Sequence, residues 1–325
     1  MTPLVDAEPG FSVVICAFTT DRWDELCSAV ASVAAQTLPA RDTIVVIDHN
    51  DELLSRARKA FPAARVVSND GQRGLSDARN HGVRAANGTL VAFLDDDARA
   101  EPSWLERLAA AYDDPDVMGV GGSAAPAWAG AGRPSWFPEE FDWVVGCSYR
   151  GLPDRRARIR NFLGCNMSFR REAFTIAGGF DTAVGRIGTR PVGGEETEFC
   201  IRLRRSRPGS VLVYEPLARV IHSVPAARRR WSYFRARCYA EGLSKAVVSR
   251  LAGSEDGLAS ERRYVIAILP AGVLRNLALA IARRDFGGLP RAGAIVAGLA
   301  VTTAGYVMGR LRQVGRWGAA RDAVS

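Results

Sequence analysis

The chain of 325 residues has few cysteines, and their spacing excludes two classes of small domain. The six cysteines lie far apart and form no C-x-x-C pair: Cys16, Cys27, Cys147, Cys165, Cys200 and Cys238. This distribution excludes a disulfide-stapled scaffold and a cysteine-type zinc module, and it favours a reducing cytosol. Residues 1–10 contain two acidic side chains and no apolar run, so we expect no secretory signal there.

Lysine is nearly absent, since Lys59 and Lys245 are the only two and arginine supplies the other basic residues. The charge is also uneven, because residues 1–214 carry 25 basic and 28 acidic side chains whereas residues 215–325 carry 18 and 7. A basic final third indicates an anionic partner, either lipid head groups or nucleic acid. An arginine-rich composition inherited from a GC-rich genome would explain the same excess without a partner.

Short apolar runs alternate with helical patterns through the first hundred residues. The runs with strand character are 11–18, 43–47, 64–67 and 90–94, and patterns of helical spacing cover 23–35, 53–61 and 75–86. This alternation predicts an open parallel α/β sheet, in which ligands bind beyond the carboxyl ends of the strands. Polar residues follow three of those ends, at Thr19–Asp21, Asp48–Asp51 and Asp95–Asp97. The sequence therefore predicts a ligand site at that edge.

The remainder of the chain changes character near residue 225. Before that point we expect a helix over 104–112, an irregular segment over 119–160, partly helical segments over 161–177 and 197–205, and short strands at 211–214 and 220–221. After it the chain is basic, apolar and helical in pattern. We therefore predict a catalytic domain over residues 10–225 and a helical, membrane-associating region over residues 226–325.

Three adjacent carboxylates, Asp95, Asp96 and Asp97, follow the last of these apolar runs. Carboxylates this close repel one another, and a divalent cation such as Mg²⁺ or Mn²⁺ offsets the repulsion. In an extended segment Asp95 and Asp97 lie on the same side, so these two could share one site. The alternative interpretation is a solvated turn or a helix N-cap.

Four segments, taken in order, resemble the family 2 glycosyltransferases, which are inverting enzymes of the GT-A fold. They are FSVVICAFTTDR, VVIDHND, GLSDARNHGVRAANGTLVAFLDDDA and GGEETEFCIRL, and the resemblance covers about residues 11–225. It implies a mixed sheet flanked by helices that binds a nucleotide-diphospho-sugar. The resemblance also implies that Ala17, Phe18 and Asp48 hold the nucleotide. Arg79 would approach the donor phosphates or anchor the acidic triplet.

The resemblance assigns Asp95 and Asp97 to the D-x-D motif, in which both bind the metal. Asp95 and Asp96 would also contact the donor. His222 follows the last core strand, where several family members have a histidine that completes the metal site. The implied cofactor is Mn²⁺ or Mg²⁺, and an imidazole ligand favours Mn²⁺.

On the acceptor side, the resemblance makes Glu196 the general base and Glu195 a supporting acceptor contact. Asn166 would meet hydroxyls of the acceptor sugar. Adjacent acids also stabilise the start of a helix, so a purely structural interpretation of the two glutamates stays open.

The last third contains two apolar stretches, Tyr264–Ala282 and Ala292–Gly309, of which the first is interrupted by Arg275 and Asn276. The second would be about 27 Å long as a helix, slightly short of a bilayer core. We interpret the pair as an amphipathic or re-entrant hairpin on the cytoplasmic leaflet, with a membrane-spanning pair and a buried soluble pair as alternatives. Nucleic-acid binding is disfavoured because no recognised module accompanies the basic residues.

Together these patterns predict a metal-dependent, inverting glycosyltransferase at the inner face of the cell membrane. It would move a sugar from a nucleotide-diphospho-sugar to a hydroxyl of a lipid-linked or cell-envelope saccharide. A nucleotidyltransferase is one alternative, although the glycine-rich basic loop it usually has after the first strand is missing. A non-enzymatic membrane- or nucleic-acid-binding module on a degenerate scaffold is the other.

Overall fold

The computed structural model describes residues 10–183, 193–251 and 262–322, with side chains up to Leu311. The prediction about a secretory signal concerns residues 1–10, and residues 1–9 lie outside the described part. Within these ranges the chain forms one mixed sheet flanked by helices, as the sequence predicted, followed by a helical region.

Nine strands make up the sheet within the described ranges, in the order β3-β2-β1-β4-β8-β6-β9-β5, with β7 paired to β9. Their bounds are β1 Phe11–Ala17, β2 Asp42–Asp48, β3 Arg65–Asn69, β4 Leu90–Asp95, β5 Ala98–Ala100, β6 Val117–Trp128, β7 Ala157–Arg158, β8 Asn166–Arg170 and β9 Val211–Val224. Strands β1 to β4 run parallel, whereas β8 runs antiparallel to both of its neighbours. The carboxyl ends of β1, β2 and β4 therefore share one edge.

Alternating side chains of the central strands fill a separate core on each face of the sheet. Val13 and Ile15 of β1 pack on one face, while Val14 between them packs on the other. Helices α1 (Trp23–Ala34), α2 (Asp51–Ala60) and α4 (Trp104–Ala109) cover the first face. Helices α3 (Leu75–Ala85), α5 (Glu172–Ala177) and α6 (Glu195–Ser206) cover the second. Burial on both faces explains why these strands are continuously apolar in sequence.

The sequence prediction was wrong for β6 and β8. The expected irregular segment begins with β6, and β8 lies where a partly helical segment was predicted. Strand β6 contains three glycines and few β-branched residues, so its sequence lacks the usual strand signal. Gly122 shows why glycine is needed, because a Cβ there would lie 1.9 Å from the carbonyl oxygen of Ala218 on β9.

The last third forms helices α7 (Trp231–Leu251), α8 (Leu269–Ala282) and α9 (Gly288–Asp322), with a π-helical turn over Tyr264–Ile268. They share a third hydrophobic core with the 3₁₀ segment Glu139–Val145. Two segments, Tyr264–Ala282 and Gly288–Leu311, are long and apolar enough to cross a membrane by length and composition. The predicted division at residue 225 stays a prediction, although β9 ends at Val224.

Helices α7 and α9 approach each other closely. A Cβ on Gly242 of α7 would lie 2.1 Å from the carbonyl oxygen of Thr302 on α9. Small residues at a crossing allow this distance, and larger ones would separate the helices.

Candidate active site

A cavity of about 390 Å³ opens beside the carboxyl ends of the strands, and we call it the central cavity. The part of the chain before α7, which we call the sheet region, contributes these charged or imidazole side chains to its wall: Arg79, Asp95, Glu195, Glu196, His222 and Arg228. Parts of the segments 141–149 and 161–165 and of helices α7, α8 and α9 also line the cavity. The cavity therefore lies between the sheet region and the C-terminal helices.

The acidic triplet lies where β4 ends. Asp95 is the last residue of that strand, whereas Asp96 and Asp97 form the turn after it. The next strand, β5, pairs with β9 so that Ala98 lies opposite His222. This register places Nε2 of His222 3.2 Å from Oδ1 of Asp97. Residues 125 positions apart in sequence thus meet because of one antiparallel strand pair.

Asp95, Asp97 and His222 form a cluster that fits a divalent cation, since one ligand atom from each lies within 4.8 Å of the others. Nδ1 of His222 is buried and has no hydrogen-bond partner among residues 10–183, 193–251 and 262–311. Two carboxylates and an imidazole are a donor set suited to Mn²⁺. The expected metal ligands therefore come together.

Positively charged side chains surround Asp97. Nη1 of Arg22 lies 3.2 Å and Nη2 of Arg228 lies 3.3 Å from its Oδ2. Burial acts to raise the pKa of Asp97, but His222, Arg228 and Arg22 outweigh burial and lower the pKa. This carboxylate is therefore ionised, as a metal ligand must be.

Asp96 lies elsewhere than we expected. Its Oδ1 accepts a hydrogen bond of 2.7 Å from Nη1 of Arg22, and the side chain is buried outside the central cavity wall. Because Asp96 and Asp97 lie in a turn, the side-chain alternation of an extended strand does not continue past Asp95. Asp96 holds Arg22 beside Asp97, and its expected contact with the donor stays a prediction.

Arg79 links the two acidic groups of the site. Its Nη1 donates to Glu195 at 2.8 Å, and its Nη2 donates to Asp95 at 3.3 Å and to the carbonyl of Gly164 at 3.0 Å. The guanidinium is buried, so these contacts hold it rigidly. Of the two expected roles for Arg79, anchoring the acidic triplet is the one its contacts match.

Glu195 and Glu196 are the first two residues of α6. Gly194 before them has a φ of 107°, a left-handed backbone conformation that favours glycine. Glu195 is buried against Arg79, whereas Glu196 is half-buried at the cavity wall. Burial, and then the neighbouring charge of Glu195, raises the pKa of Glu196 to about 8. A carboxylate of this basicity is suited to accept a proton near neutral pH.

The predicted nucleotide contacts lie beside the central cavity and not in its wall. Oδ1 of Asp48 accepts from Nδ2 of Asn69 at 2.8 Å, and Oδ2 accepts from the backbone N–H of Gly74 at 3.0 Å. Phe18 is 41% exposed, and the Arg22 guanidinium lies 5.3 Å from its ring centroid. Ala17 is buried as the last residue of β1. Nucleotide binding by Ala17, Phe18 and Asp48 stays a prediction.

Asn166 does not face the central cavity, which corrects the expected acceptor contact. Its side chain is fully buried and accepts from Nε1 of Trp104 at 2.8 Å. Its amide donates to the carbonyls of Ser123 and Ala218 at 2.7 and 2.8 Å. With donor and acceptor atoms used inside the protein, Asn166 joins β8 to neighbouring elements and leaves the acceptor without it.

Two groups of the site were not among the site residues predicted from the sequence. Arg22 contacts both Asp96 and Asp97, and the FTTDR segment contained it without a distinguishing signal. Helix α7 lines the cavity with side chains spaced four residues apart: Tyr233, Arg237, Glu241 and Lys245. That spacing was visible in the sequence and could have indicated one polar face of a helix.

Comparison with known proteins agrees with this architecture. The model of the family "Glycosyl transferase family 2" matches residues 12–176. Glucosyl-dolichyl phosphate glucuronosyltransferase of Haloferax volcanii is 38% identical over 244 residues, 74% of this chain and 77% of that protein. Succinoglycan biosynthesis protein ExoM of Rhizobium meliloti is 28% identical over 294 residues, 79% of this chain and 90% of that protein.

A solved structure shows the same fold. Mannosyltransferase PcManGT from Pyrobaculum calidifontis, in complex with GDP-Man and Mn²⁺, superposes with a TM-score of 0.58 at 18% identity. The match covers 92% of this chain and 88% of that chain. The nucleotidyltransferase and non-enzymatic alternatives are set aside by these findings. The chain belongs to glycosyltransferase family 2 and is a glycosyltransferase of the GT-A fold.

Proposed function

We propose that this glycosyltransferase is metal-dependent and inverting, with Glu196 as its general base. The observation that carries the proposal is that Glu196, Asp95 and His222 line one cavity. An inverting displacement needs a base for the acceptor on one side of the sugar and stabilisation of the leaving group on the other. The central cavity brings both kinds of group together.

Asp95, Asp97 and His222 would hold the divalent cation. When bound, it would neutralise charge on the departing nucleotide diphosphate. Arg79 keeps Asp95 and Glu195 in place through hydrogen bonds to both. Arg22 and Arg228 keep Asp97 ionised and oriented. Ala17, Phe18 and Asp48 would bind the nucleotide at the adjacent strand ends.

Glu196 accepts the proton of the acceptor hydroxyl. The acceptor oxygen forms a bond to the anomeric carbon of the donor while the bond from that carbon to the diphosphate oxygen breaks. The electron pair leaves with the nucleotide diphosphate, and the sugar's anomeric configuration inverts. Glu195, which is held by Arg79 at 2.8 Å, supports the base by raising its pKa.

The acceptor that we propose is a lipid-linked or cell-envelope saccharide, and the lipid-linked class has the stronger support. The Haloferax relative is named for transfer of glucuronic acid to a glucosyl-dolichyl phosphate, and it matches three quarters of this chain. Apolar helices in the wall of the central cavity suit an acceptor with a lipid part.

We place the enzyme on the cytoplasmic leaflet, with α8 and α9 in one leaflet only. Arg275, in the middle of α8, pairs with the fully buried Glu140 of the 3₁₀ segment at 2.7 Å. The middle of α8 therefore lies against the sheet region, whereas Leu274 and Ile281 on another side are 68% and 81% exposed. A helix held in this way can insert an apolar face but leaves the catalytic region outside the bilayer.

A panel of nucleotide-sugars tests the function on the full chain. We expect one of them, with UDP-glucuronate as the first choice, to raise the melting temperature only when Mn²⁺ or Mg²⁺ is present. Transfer to a polyprenyl-phosphate-linked glucose should follow, with inversion at the anomeric carbon seen by NMR. No stabilisation by any nucleotide-sugar with either metal would refute the proposal, and retained configuration would refute the inverting mechanism.

A further inference from the structure

Three aromatic side chains contact one another in the wall of the central cavity, and we call them the aromatic patch: Trp143, Tyr149 and Tyr264. The rings of Tyr149 and Tyr264 meet edge to face with their centroids 5.4 Å apart. The hydroxyl of Tyr264 accepts a hydrogen bond of 3.0 Å from Nε1 of Trp143. Of the tryptophans whose side chains the structure describes, Trp143 is the one in this wall, whereas Trp128 and Trp136 pack on the third core outside it.

The indole of Trp143 is held in one orientation by its neighbours. Its Nε1 hydrogen is donated to Tyr264, whose own hydroxyl donates to the carbonyl of Glu140. The ring of Phe141 packs beside it, with the centroids 5.4 Å apart and an interplanar angle of 37°. The half-buried indole therefore has its polar hydrogen bound within the protein, and the part of it that lines the cavity is apolar ring surface.

The aromatic patch lies close to the metal cluster. Gly146 is three residues after Trp143 and three before Tyr149, and a Cβ at Gly146 would lie 3.3 Å from Nε2 of His222. A chain advances at most about 3.6 Å per residue, so the Cα atoms of both aromatic residues lie within about 11 Å of the Cα atom of Gly146. The patch therefore borders the groups to which we assign the chemistry.

A pyranose ring is apolar on the faces from which its axial C–H bonds project and polar around its rim of hydroxyls. The C–H faces pack on aromatic rings, whose faces carry negative charge, and the hydroxyls need hydrogen-bonding groups. The central cavity offers both kinds of surface, because Asp95, Glu195 and Glu196 line it together with the aromatic patch. A free phosphate or a bare hydrocarbon chain would use only one of the two surfaces.

We propose that Trp143 stacks on the sugar ring of the acceptor and thereby selects the hydroxyl that reaches Glu196. The donor sugar has a ring of the same chemistry, but it is joined to a nucleotide diphosphate that the metal and the nucleotide contacts hold. The acceptor sugar needs a contact of its own, and the indole supplies it. This inference rests on the proposed function, because it identifies how the same site holds its acceptor.

Two reactions of the full-length enzyme distinguish the acceptor from the donor: transfer to polyprenyl-phosphate-linked glucose, and hydrolysis of the nucleotide-sugar, in which water replaces the acceptor. We expect Trp143→Leu to raise the KM for the acceptor by about tenfold, with donor hydrolysis and metal-dependent donor binding unchanged. Trp143→Phe keeps a ring but loses the hydrogen bond to Tyr264, so it should restore most of the affinity. Trp231→Leu removes a 39% exposed indole outside the cavity wall and should change neither reaction.

Three kinetic results would overturn the proposal. An unchanged KM in Trp143→Leu would remove the contact. Equal losses in Trp143→Leu and Trp143→Phe would make the hydrogen bond to Tyr264, and not the ring, the important feature. A parallel fall in donor hydrolysis would assign the indole to the donor sugar.

Saturation-transfer NMR tests the contact without turnover, with methyl β-D-glucopyranoside as the probe and UDP and Mn²⁺ present. The hydrogens on carbons 1, 3 and 5 lie on one face of this ring and those on carbons 2 and 4 on the other, so stacking should saturate one set more strongly. Trp143→Leu should abolish the difference, whereas Trp231→Leu should keep it. Equal saturation of both faces in the parent protein, or none, would overturn the proposal.

If no nucleotide-sugar binds with either metal, the proposed function fails. If donor binding and hydrolysis are normal and Trp143→Leu leaves the KM for the acceptor unchanged, only this inference fails. The two results are distinguishable because donor binding is measured by thermal stabilisation, independently of any acceptor.

Discussion

The sheet region and the C-terminal helices differ in how many large apolar side chains they expose. Among residues whose side chains the structure describes, two large apolar side chains before residue 225 are exposed, Phe18 and Leu217. Eleven after it are exposed, including Leu274, Ile281 and Phe286. The sheet region buries its apolar side chains in two cores, whereas the exposed apolar side chains of the helices support the proposed membrane contact. The two regions therefore differ in the surface that they present to their surroundings.

The regions nevertheless depend on each other. Phe137 and Phe141, which belong to the sheet region, pack with Phe234 of α7 at ring-centroid distances of 5.4 and 5.3 Å. Removing residues 226–325 would expose these rings and take away one wall of the central cavity. Point substitutions therefore test the comparison better than truncation does.

Substitution of the proposed base, Glu196, should have the largest effect on activity. Glu196→Gln keeps the shape of the side chain but cannot accept a proton, so we expect kcat to fall by about a hundredfold to ten-thousandfold. Steady-state kinetics measures the fall, and thermal stabilisation by nucleotide-sugar with Mn²⁺ should be unchanged. Glu106→Gln, a substitution on the surface of α4, is the control. Normal turnover by Glu196→Gln would remove Glu196 from the mechanism.

The next effect should come from the metal cluster. Asp97→Ala removes one ligand and leaves Arg22 and Arg228 without their shared carboxylate, so we expect about a thousandfold loss of activity. Stabilisation of the protein by Mn²⁺ alone should also disappear, which calorimetry measures. An Asp97→Ala protein that still binds Mn²⁺ as tightly as the parent would exclude Asp97 as a ligand. Asp113→Ala serves as the matched surface control.

The pH profile should reflect the raised pKa of Glu196, which is about 8. A general base acts when it is deprotonated, so the active fraction falls as the pH drops below the pKa. We expect kcat/KM to decrease about tenfold per pH unit below about pH 8 and to level off above it. A flat profile between pH 6 and 8 would contradict the assignment of this carboxylate as the base.

A smaller effect should follow from breaking the contact between the two regions. Arg275→Met leaves the carboxylate of Glu140 buried without its cation, which should lower the free energy of unfolding by about 2 kcal/mol, since Arg275 is partly exposed. Urea denaturation measures this change. The double variant Glu140→Gln/Arg275→Met should recover part of the loss, and Arg283→Met at the exposed end of α8 should cost less. No loss in Arg275→Met would show that the ion pair does not hold the regions together.

Substitutions on the exposed apolar face of α8 should have the smallest effect on catalysis. Leu274→Glu with Ile281→Glu puts two charges on the exposed apolar side, so binding to vesicles of anionic lipid should weaken. Vesicle co-sedimentation measures this change, while donor binding should stay at the parent level. Unchanged sedimentation would contradict the membrane contact of this face.

Much of the fold was predictable because strong local patterns match the tertiary environment. Strands β1, β2 and β4 are buried on both faces and are apolar throughout, so their sequence signal was clear. Strand β6 was missed because its glycines make room for segments that are far away in sequence, such as the β9 backbone at Gly122 and the Phe162 ring at Gly121. The local sequence pattern therefore failed to predict a strand where a segment distant in sequence requires glycine.

The candidate site likewise has residues that the sequence indicated and residues whose position only the structure shows. Residue types and spacing indicated the acidic cluster and His222, and the structure brings Asp95, Asp97 and His222 together. Spacing did not show that Asp96 turns to Arg22 or that Asn166 is buried. The direction of a side chain depends on turns and on neighbours from distant segments, and these have no local signature.

The amino-acid sequence by itself determined the α/β class, the family resemblance and the basic, apolar character of the last third. The tertiary structure decided that Arg275, a charge within an apolar stretch, pairs with Glu140, and that glycines in α7 and α9 mark a close helix crossing. It also decided that these helices complete the central cavity. The physical reason is that patterns report burial and secondary structure along a chain, whereas ion pairs and cavities arise between segments that only folding brings into contact.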